Sequence, residues 1–301
     1  MPRSSLRLLF AGLAVAALLA GCDIKVDDGK VSLGVSRGRA SDEWVRSYTL
    51  AKGGRFEIAN ENGQIDVRGG QGPEVKVKAF REVTSNSDED AQQRLKDLKM
   101  KEDASADRVF IQAETSRSEQ IGFGRGLNVR YEVEVPAGLT VTVKTMNGAV
   151  RLDNVEGKIT AATTNGNVSG DAVSGEVQGS TVNGSVSLKL DDVRGDVRLT
   201  TVNGAVRVEL PPTVNADLDA TTVNGGVSVD DKLQLTDASR DRGSFGPATS
   251  IRGRLNKGGN RLTLQTTNGG VRVAAQGSAD EEGPRRGRGL RGRANRPPGQ
   301  F

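Results

Sequence analysis

Thr181-Val182-Asn183-Gly184-Ser185-Val186-Ser187-Leu188 and Thr201-Val202-Asn203-Gly204-Ala205-Val206-Arg207-Val208 are two copies of one pattern. Asn-Gly recurs at Asn62, Asn147, Asn165, Asn183, Asn203, Asn224 and Asn268, and the central intervals are 18, 18, 20 and 21 residues. A fixed period of this length marks a repeat architecture. Counted from each Asn, position −6 is Phe56, Val141, Ile159, Val177, Val197, Leu218 or Leu262, and position +3 is Ile65, Val150, Val168, Val186, Val206, Val227 or Val271. Both columns are apolar throughout. Position +4 is polar in every copy, and position +5 turns apolar again with Gly170 as the exception. Period-two alternation of this kind predicts half-buried strands on both sides of each Asn-Gly.

Two architectures join strands through Asn-Gly: an antiparallel meander with tight hairpins, or a solenoid in which Asn-Gly forms one corner of every coil. In a meander, equivalent residues lie two strands apart, roughly 9–10 Å, and have no reason to match; in a solenoid they stack at ~4.8 Å. Position −2 is Thr145, Thr163, Thr181, Thr201, Thr222 or Thr266, with Asn60 the exception, and parity turns this column inward. Such columns suit ladders of stacked hydroxyls and amides between coils. The expected fold is therefore all-β, a β-solenoid (parallel β-helix-like) of about 18–21 residues per rung. Glu156-Gly157-Lys158, Ser174-Gly175-Glu176 and Arg194-Gly195-Asp196 supply a second corner. One coil buries too little apolar surface to offset its backbone entropy, so coils must stack and the ends must be covered.

Ser87 and Asp90 have the spacing of a capping box, and Ala91, Leu95 and Leu98 share a helical face, which predicts one short capping helix near 88–100. It is expected as a lid over an open end of the stack. Residues from Asp237 to Ser250 break the repeat and read as a loop leaving the body. The chain contains no His and one Cys among 301 residues. That excludes His-based acid/base chemistry, Ser-His-Asp nucleophiles, His-ligated metals and an intrachain disulfide. No cofactor is expected.

Arg3 and Arg7 precede an apolar run from Leu8 to Ala20, too short to span a bilayer but right for a secretory signal. The run ends in Leu19-Ala20-Gly21-Cys22, which looks like the lipobox of bacterial lipoproteins. That resemblance implies cleavage before Cys22 and lipidation at Cys22. By analogy with lipoprotein sorting, Asp23 implies retention at the periplasmic face of the inner membrane; the outer membrane remains open. The domains expected are a signal peptide at 1–21, a lipidated Cys and tether at 22–43, a repeat domain at 44–275, and a disordered Arg/Gly/Pro-rich tail at 276–301. Arg285, Arg286, Arg288, Arg291, Arg293 and Arg296 concentrate the positive charge there, while the body is close to neutral. These six are candidates for binding anionic envelope polymers or lipids.

With the lipobox, the Thr-x-Asn-Gly-x-Val-x-Val coils and the opening Phe56-Glu57-Ile58-Ala59-Asn60-Glu61-Asn62-Gly63-Gln64-Ile65, the chain resembles the bacterial putative-adhesin family over residues 44–275. The resemblance implies an envelope-associated β-solenoid of unknown function and carries no catalytic residues. Arg194-Gly195-Asp196 spells an attachment tripeptide but occupies the same corner as its two counterparts. Asp191-Asp192 and Asp230-Asp231 are candidates for Ca²⁺ or for a glycosidase pair, yet consecutive residues of a strand point to opposite faces. Gly122-Phe123-Gly124-Arg125-Gly126 lacks the following helix of a phosphate site. Trp44 reads as packing at the domain edge. The expected function is a non-enzymatic, membrane-anchored envelope lipoprotein acting as an interaction or scaffold module. The partners expected are the membrane and another envelope component, not nucleic acid, because no aromatics interleave with the arginines. The alternative is a carbohydrate-active solenoid enzyme using surface carboxylates.

Overall fold

Alternating β-branched and polar residues have little choice but to extend, and each Asn-Gly repeat folds as two strands meeting at that dipeptide. Leu139–Asn147 with Val150–Asp153 and Val197–Asn203 with Val206–Leu210 are examples. The computed structural model describes residues 22–27, 30–35, 38–114, 126–242 and 248–277. Neighbouring coils run parallel and in register. Along the first strands, Val109, Phe56, Val141, Ile159, Val177, Val197, Leu262 and Leu218 lie side by side in that order. Along the second strands the order is Tyr131, Ile65, Val150, Val168, Val186, Val206, Val271 and Val227. The columns of the sequence are thus columns in space, and hairpins between the repeats are excluded. The whole is an all-β mixed sheet of twenty strands with one short helix.

The order of the coils departs from the order of the chain at both ends. The coil with Asn268 lies between those with Asn203 and Asn224, and the coil with Asn62 lies between the Asn147 coil and a coil built from Arg108–Glu114 and Leu127–Val135. In each case an antiparallel segment closes the outer coil. Ala248–Leu255 pairs with Ala216–Asn224, and Leu235–Arg242 continues outward from it. Within the segment from Asp237 to Ser250, the described residues 237–242 and 248–250 are therefore paired strand and not a loop leaving the body, while 243–247 lie outside the described residues. Its alternation is hidden because these edge strands carry few apolar residues and slip register between Thr236 and Ser239, where Asp237 has a φ of 50°. At the other end, Lys99–Ala104 closes the first ladder, and Glu74–Ser85 followed by Gly38–Thr49 closes the second. The position 43/44, taken from sequence as a domain boundary, falls inside the strand Gly38–Thr49.

The helix Asp88–Asp97 starts at Ser87, whose hydroxyl accepts the Asp90 N–H at 3.2 Å. It buries Ala91 and Leu95 against Gly38–Thr49 and Glu74–Ser85, so the cover at this end is strands with a helix laid on them. Cys22–Asp27 and Lys30–Val35 pair antiparallel as a separate two-stranded sheet.

Two polar columns stitch the coils. The Thr column is buried, at most 6% exposed, in agreement with its parity. Its hydroxyls do not bond to one another, as stacking suggested; each donates to the corner glycine carbonyl of the adjoining coil, Thr181 to Gly166 and Thr201 to Gly184 at 2.8 Å. Asn60, in the Thr position, donates its amide to Val129 O at 2.9 Å. The Asn column forms an unbroken ladder. Asn224 donates to Asn268, which donates to Asn203, then Asn183, Asn165, Asn147 and Asn62, every bond 2.8–2.9 Å. All point the same way, so each amide polarises the next.

Tyr131 occupies the inward position of the end coil and is fully buried. Its hydroxyl lies near the Ala113 backbone without a hydrogen bond of full geometry. Burial pushes its pKa well above the ordinary tyrosine value. A raised folded pKa means that stability is intact below the unfolded value near 10 and is lost as pH rises above it, by ~1.4 kcal/mol per pH unit for one group. Tyr131→Phe is expected to leave stability at pH 7 within about 1 kcal/mol of wild type and to flatten the loss between about pH 10 and 12. Urea titrations across that range decide; equal alkaline slopes for the two proteins would contradict it.

Candidate interaction surface

In the outward column of the second ladder two short side chains stand together between two long ones. Ser169 and Ser187 are register partners, with Arg151 on one side and Arg207 on the other. The two serines floor a groove of about 490 Å³ that draws its lining from five successive coils, from Asp66 to Glu209. Its walls are ion pairs. Lys189 Nζ lies 3.1 Å from Asp171, and Arg151 reaches Asp66 at 3.9 Å. The hydrogen bond and charge of Asp171, with Asp191 and Glu209 adding to them, raise the Lys189 pKa, so this ammonium is charged at any physiological pH. Asp153 and Asp171 are register partners beside the same groove. A smaller groove of about 320 Å³ lies on the first ladder, where Lys158 pairs with Glu176 at 2.9 Å beside Gln178 and Arg198. Both are open, polar and shaped by strand spacing, a geometry suited to holding hydrogen-bonding groups along the stack.

The toastrack DUF4097 family model matches residues 23–274, most of the chain. The chain belongs to the toastrack family. Among solved structures, this toastrack chain is similar to a putative cell adhesion protein from Clostridium sporogenes, with 10% identity over 79% of this chain and 100% of the other and a TM-score of 0.41. Putative adhesins from Parabacteroides merdae and Bacteroides fragilis are similar at 9% identity, with TM-scores of 0.30 and 0.25. They cover 77% and 78% of the toastrack chain and 96% and 97% of their own. No curated protein matches it.

In the toastrack chain, the residues singled out from sequence fare differently. Arg194-Gly195-Asp196 is a corner whose charges are engaged within the molecule: Arg194 pairs with Glu156 at 3.0 Å, and Asp196 accepts the Arg261 N–H at 2.9 Å. Asp192 caps the Val193 N–H, and Asp230 accepts the Lys232 N–H. Among the described residues, no group of three or more His, Cys, Asp and Glu is placed to hold a metal ion. Trp44 is nearly buried, with the Arg46 guanidinium 4.9 Å above its ring, in keeping with a packing role at the edge. The signal segment, Gly122 to Arg125 and the six tail arginines lie outside the described residues; Cys22 opens a strand.

Sequence reasoning missed one feature of the toastrack surface. Met146, Val182, Val202 and Val223 at position −1 are 41% to 66% exposed; Val182 and Val202 lie on adjoining coils, and the coils of Asn165 and Asn268 set Thr164 and Thr267 between them and the other two. Glu61, Thr164 and Thr267 hold the same position in the other copies, so the repeat count shows no uniform column there.

Proposed function

We propose that this protein is a non-enzymatic envelope lipoprotein, anchored through an acylated Cys22, that presents a rigid β-solenoid as an adhesin-like interaction module. The parallel, in-register ladders support the solenoid reading, and the sequence ending in Gly21-Cys22-Asp23 supports the anchor at the periplasmic face of the inner membrane. One observation carries the interaction role. Side chains from five coils share a single polar groove, so an extended ligand lying along the stack meets a new hydrogen-bonding group about every 4.8 Å. An envelope polysaccharide or other anionic envelope polymer fits that spacing, with the tail arginines adding attraction.

Ser187→Trp fills the floor of the groove without touching the core. The variant is expected to bind isolated envelope polysaccharide at least about tenfold more weakly than wild type, a loss of ~1.4 kcal/mol, with unchanged melting. A chain ending at residue 277 separates the contribution of the tail. If wild type binds no envelope polymer, or if Ser187→Trp binds equally well, the groove is not the site.

A second reading, a carbohydrate-active enzyme, is favoured by Asp153 and Asp171 facing one another across neighbouring coils, because two carboxylates close together beside a groove are the equipment of a glycosidase. Asp171 is already engaged by Lys189. Release of reducing ends from envelope glycans by wild type, abolished in Asp153→Asn, would establish this reading instead.

A further inference from the structure

The seven Asn-Gly corners are one chemical group repeated, and six of them are closed in the same way. In those six the glycine N–H donates to the asparagine carbonyl of the adjoining coil at 2.8–3.0 Å, from Gly63 with Asn147 at one end of the stack to Gly269 with Asn224 at the other. The seventh has no adjoining coil to donate to. Asn224 belongs to the outermost parallel coil, and the antiparallel cover Ala248–Leu255 pairs with that coil only as far as Thr221. The Gly225 N–H accordingly has no hydrogen-bond acceptor among the described residues. Gly225 is also the one glycine of the seven that is exposed; Gly63 is buried and the other five are half-buried.

That difference falls on the atom that decides the chemistry of an Asn-Gly pair. A glycine nitrogen stripped of its proton by hydroxide can attack Cγ of the preceding asparagine. The new N–Cγ bond closes a cyclic imide, the Cγ–Nδ2 bond breaks, and ammonia leaves with a proton from water. Water then opens the imide at either carbonyl, giving aspartate or isoaspartate. Glycine favours the closure because no side chain restricts the turn that its nitrogen must make. A nitrogen whose proton is held by a neighbouring coil can neither lose it nor swing toward Cγ until that coil opens locally. The carboxamides themselves do not discriminate, since those of Asn183, Asn203 and Asn224 all belong to exposed residues. Asn62 stands at the opposite end of the amide ladder, yet its Gly63 is buried and its N–H engaged.

We propose that Asn224 is a site of spontaneous covalent modification, the one Asn-Gly of the seven that the fold leaves open to deamidation, while stacked coils protect the other six. The product loses the amide that donates to Asn268 at 2.8 Å and sets a carboxylate against that acceptor oxygen, so the ladder forfeits its first bond. Isoaspartate also lengthens the backbone between Ala216–Asn224 and Val227–Val229, the outermost parallel strands of the two ladders. The change therefore enters the stack at its edge and leaves the interior corners intact.

The test needs no variant. The freshly purified full chain is held in mildly alkaline buffer at body temperature and sampled over time, and the proteolytic peptides spanning each Asn-Gly are weighed and separated into asparagine, aspartate and isoaspartate forms. Conversion at Asn224 is expected to run at least about tenfold faster than at any of the other six. The same incubation in denaturing urea removes the coils, and the seven sites are then expected to agree within about threefold. If Asn224 in the folded chain converts no faster than Asn183 or Asn62, the free N–H does not govern the reaction and the proposal falls. It falls equally if the lead of Asn224 persists undiminished in urea, because the selectivity would then belong to the local sequence and not to the stack.

Discussion

Gly184→Ala is expected to destabilise the domain by roughly 3–5 kcal/mol, from backbone strain of ~1–3 kcal/mol and the loss of neighbouring hydrogen bonds at ~1 kcal/mol each. A Cβ at this corner would lie 2.0 Å from the Gly166 carbonyl oxygen of the next coil, well inside contact distance. The corner cannot retreat. The Gly184 N–H donates to Asn203 O at 3.0 Å, and its own carbonyl accepts Thr201 Oγ1 at 2.8 Å, so moving away from Gly166 drives it into the coil on its other side. Gly72→Ala is the control, because a Cβ there meets nothing within 4 Å. Urea midpoints measure the difference. If the two alanine variants unfold at the same midpoint, the close packing of the corners is wrong.

Leu199→Ala is expected to cost toward the upper part of the ~2–5 kcal/mol range for buried leucine truncations. Leu199 is fully buried and reaches into the space left by Gly179 in the adjoining coil, where a Cβ would sit 3.1 Å from Leu199 Cδ2. The glycine has no side chain with which to fill the resulting void. The same pairing predicts a change of sign: Gly179→Ala overpacks the wild-type core but recovers part of the stability lost in Leu199→Ala. A double-mutant cycle by urea unfolding measures this coupling. Additive losses would show that the two coils do not share this volume.

The corners of this fold were readable residue by residue, because the chemistry that sets them is local. Asn-Gly makes the turn, a Thr two residues earlier serves the neighbouring glycine carbonyl, and alternation fixes the inward face. Even the helix announced itself through Ser87 and Asp90. The order of the coils was not readable, and the reason is degeneracy. Val197 packs beside Leu262 where the chain order would have supplied Leu218, and either leucine fills that position equally well. What selects the neighbour is the antiparallel cover at each end, written in edge strands whose exposed faces and register slip leave almost no pattern. The groove was missed for a different reason. Ser169 and Ser187 look unremarkable one at a time, and the depression exists only because parallel register sets them side by side between two arginines.

Because the coil carrying Asn268 is slotted beneath the one carrying Asn224, the domain is closed by a keystone made almost last. The coil at 216–229 cannot join its neighbours through this ladder until residue 275 has arrived, and the coil at 55–69 waits likewise for residues beyond 108. A chain emerging N-terminus first thus completes the coil at 55–69 once residue 153 is out, and holds only its C-terminal coil in reserve until residue 275 has followed. The middle of the stack, from Asn147 to Asn203, follows chain order and grows coil by coil, while the C-terminal edge is locked only when the Asn268 coil enters beside Asn203.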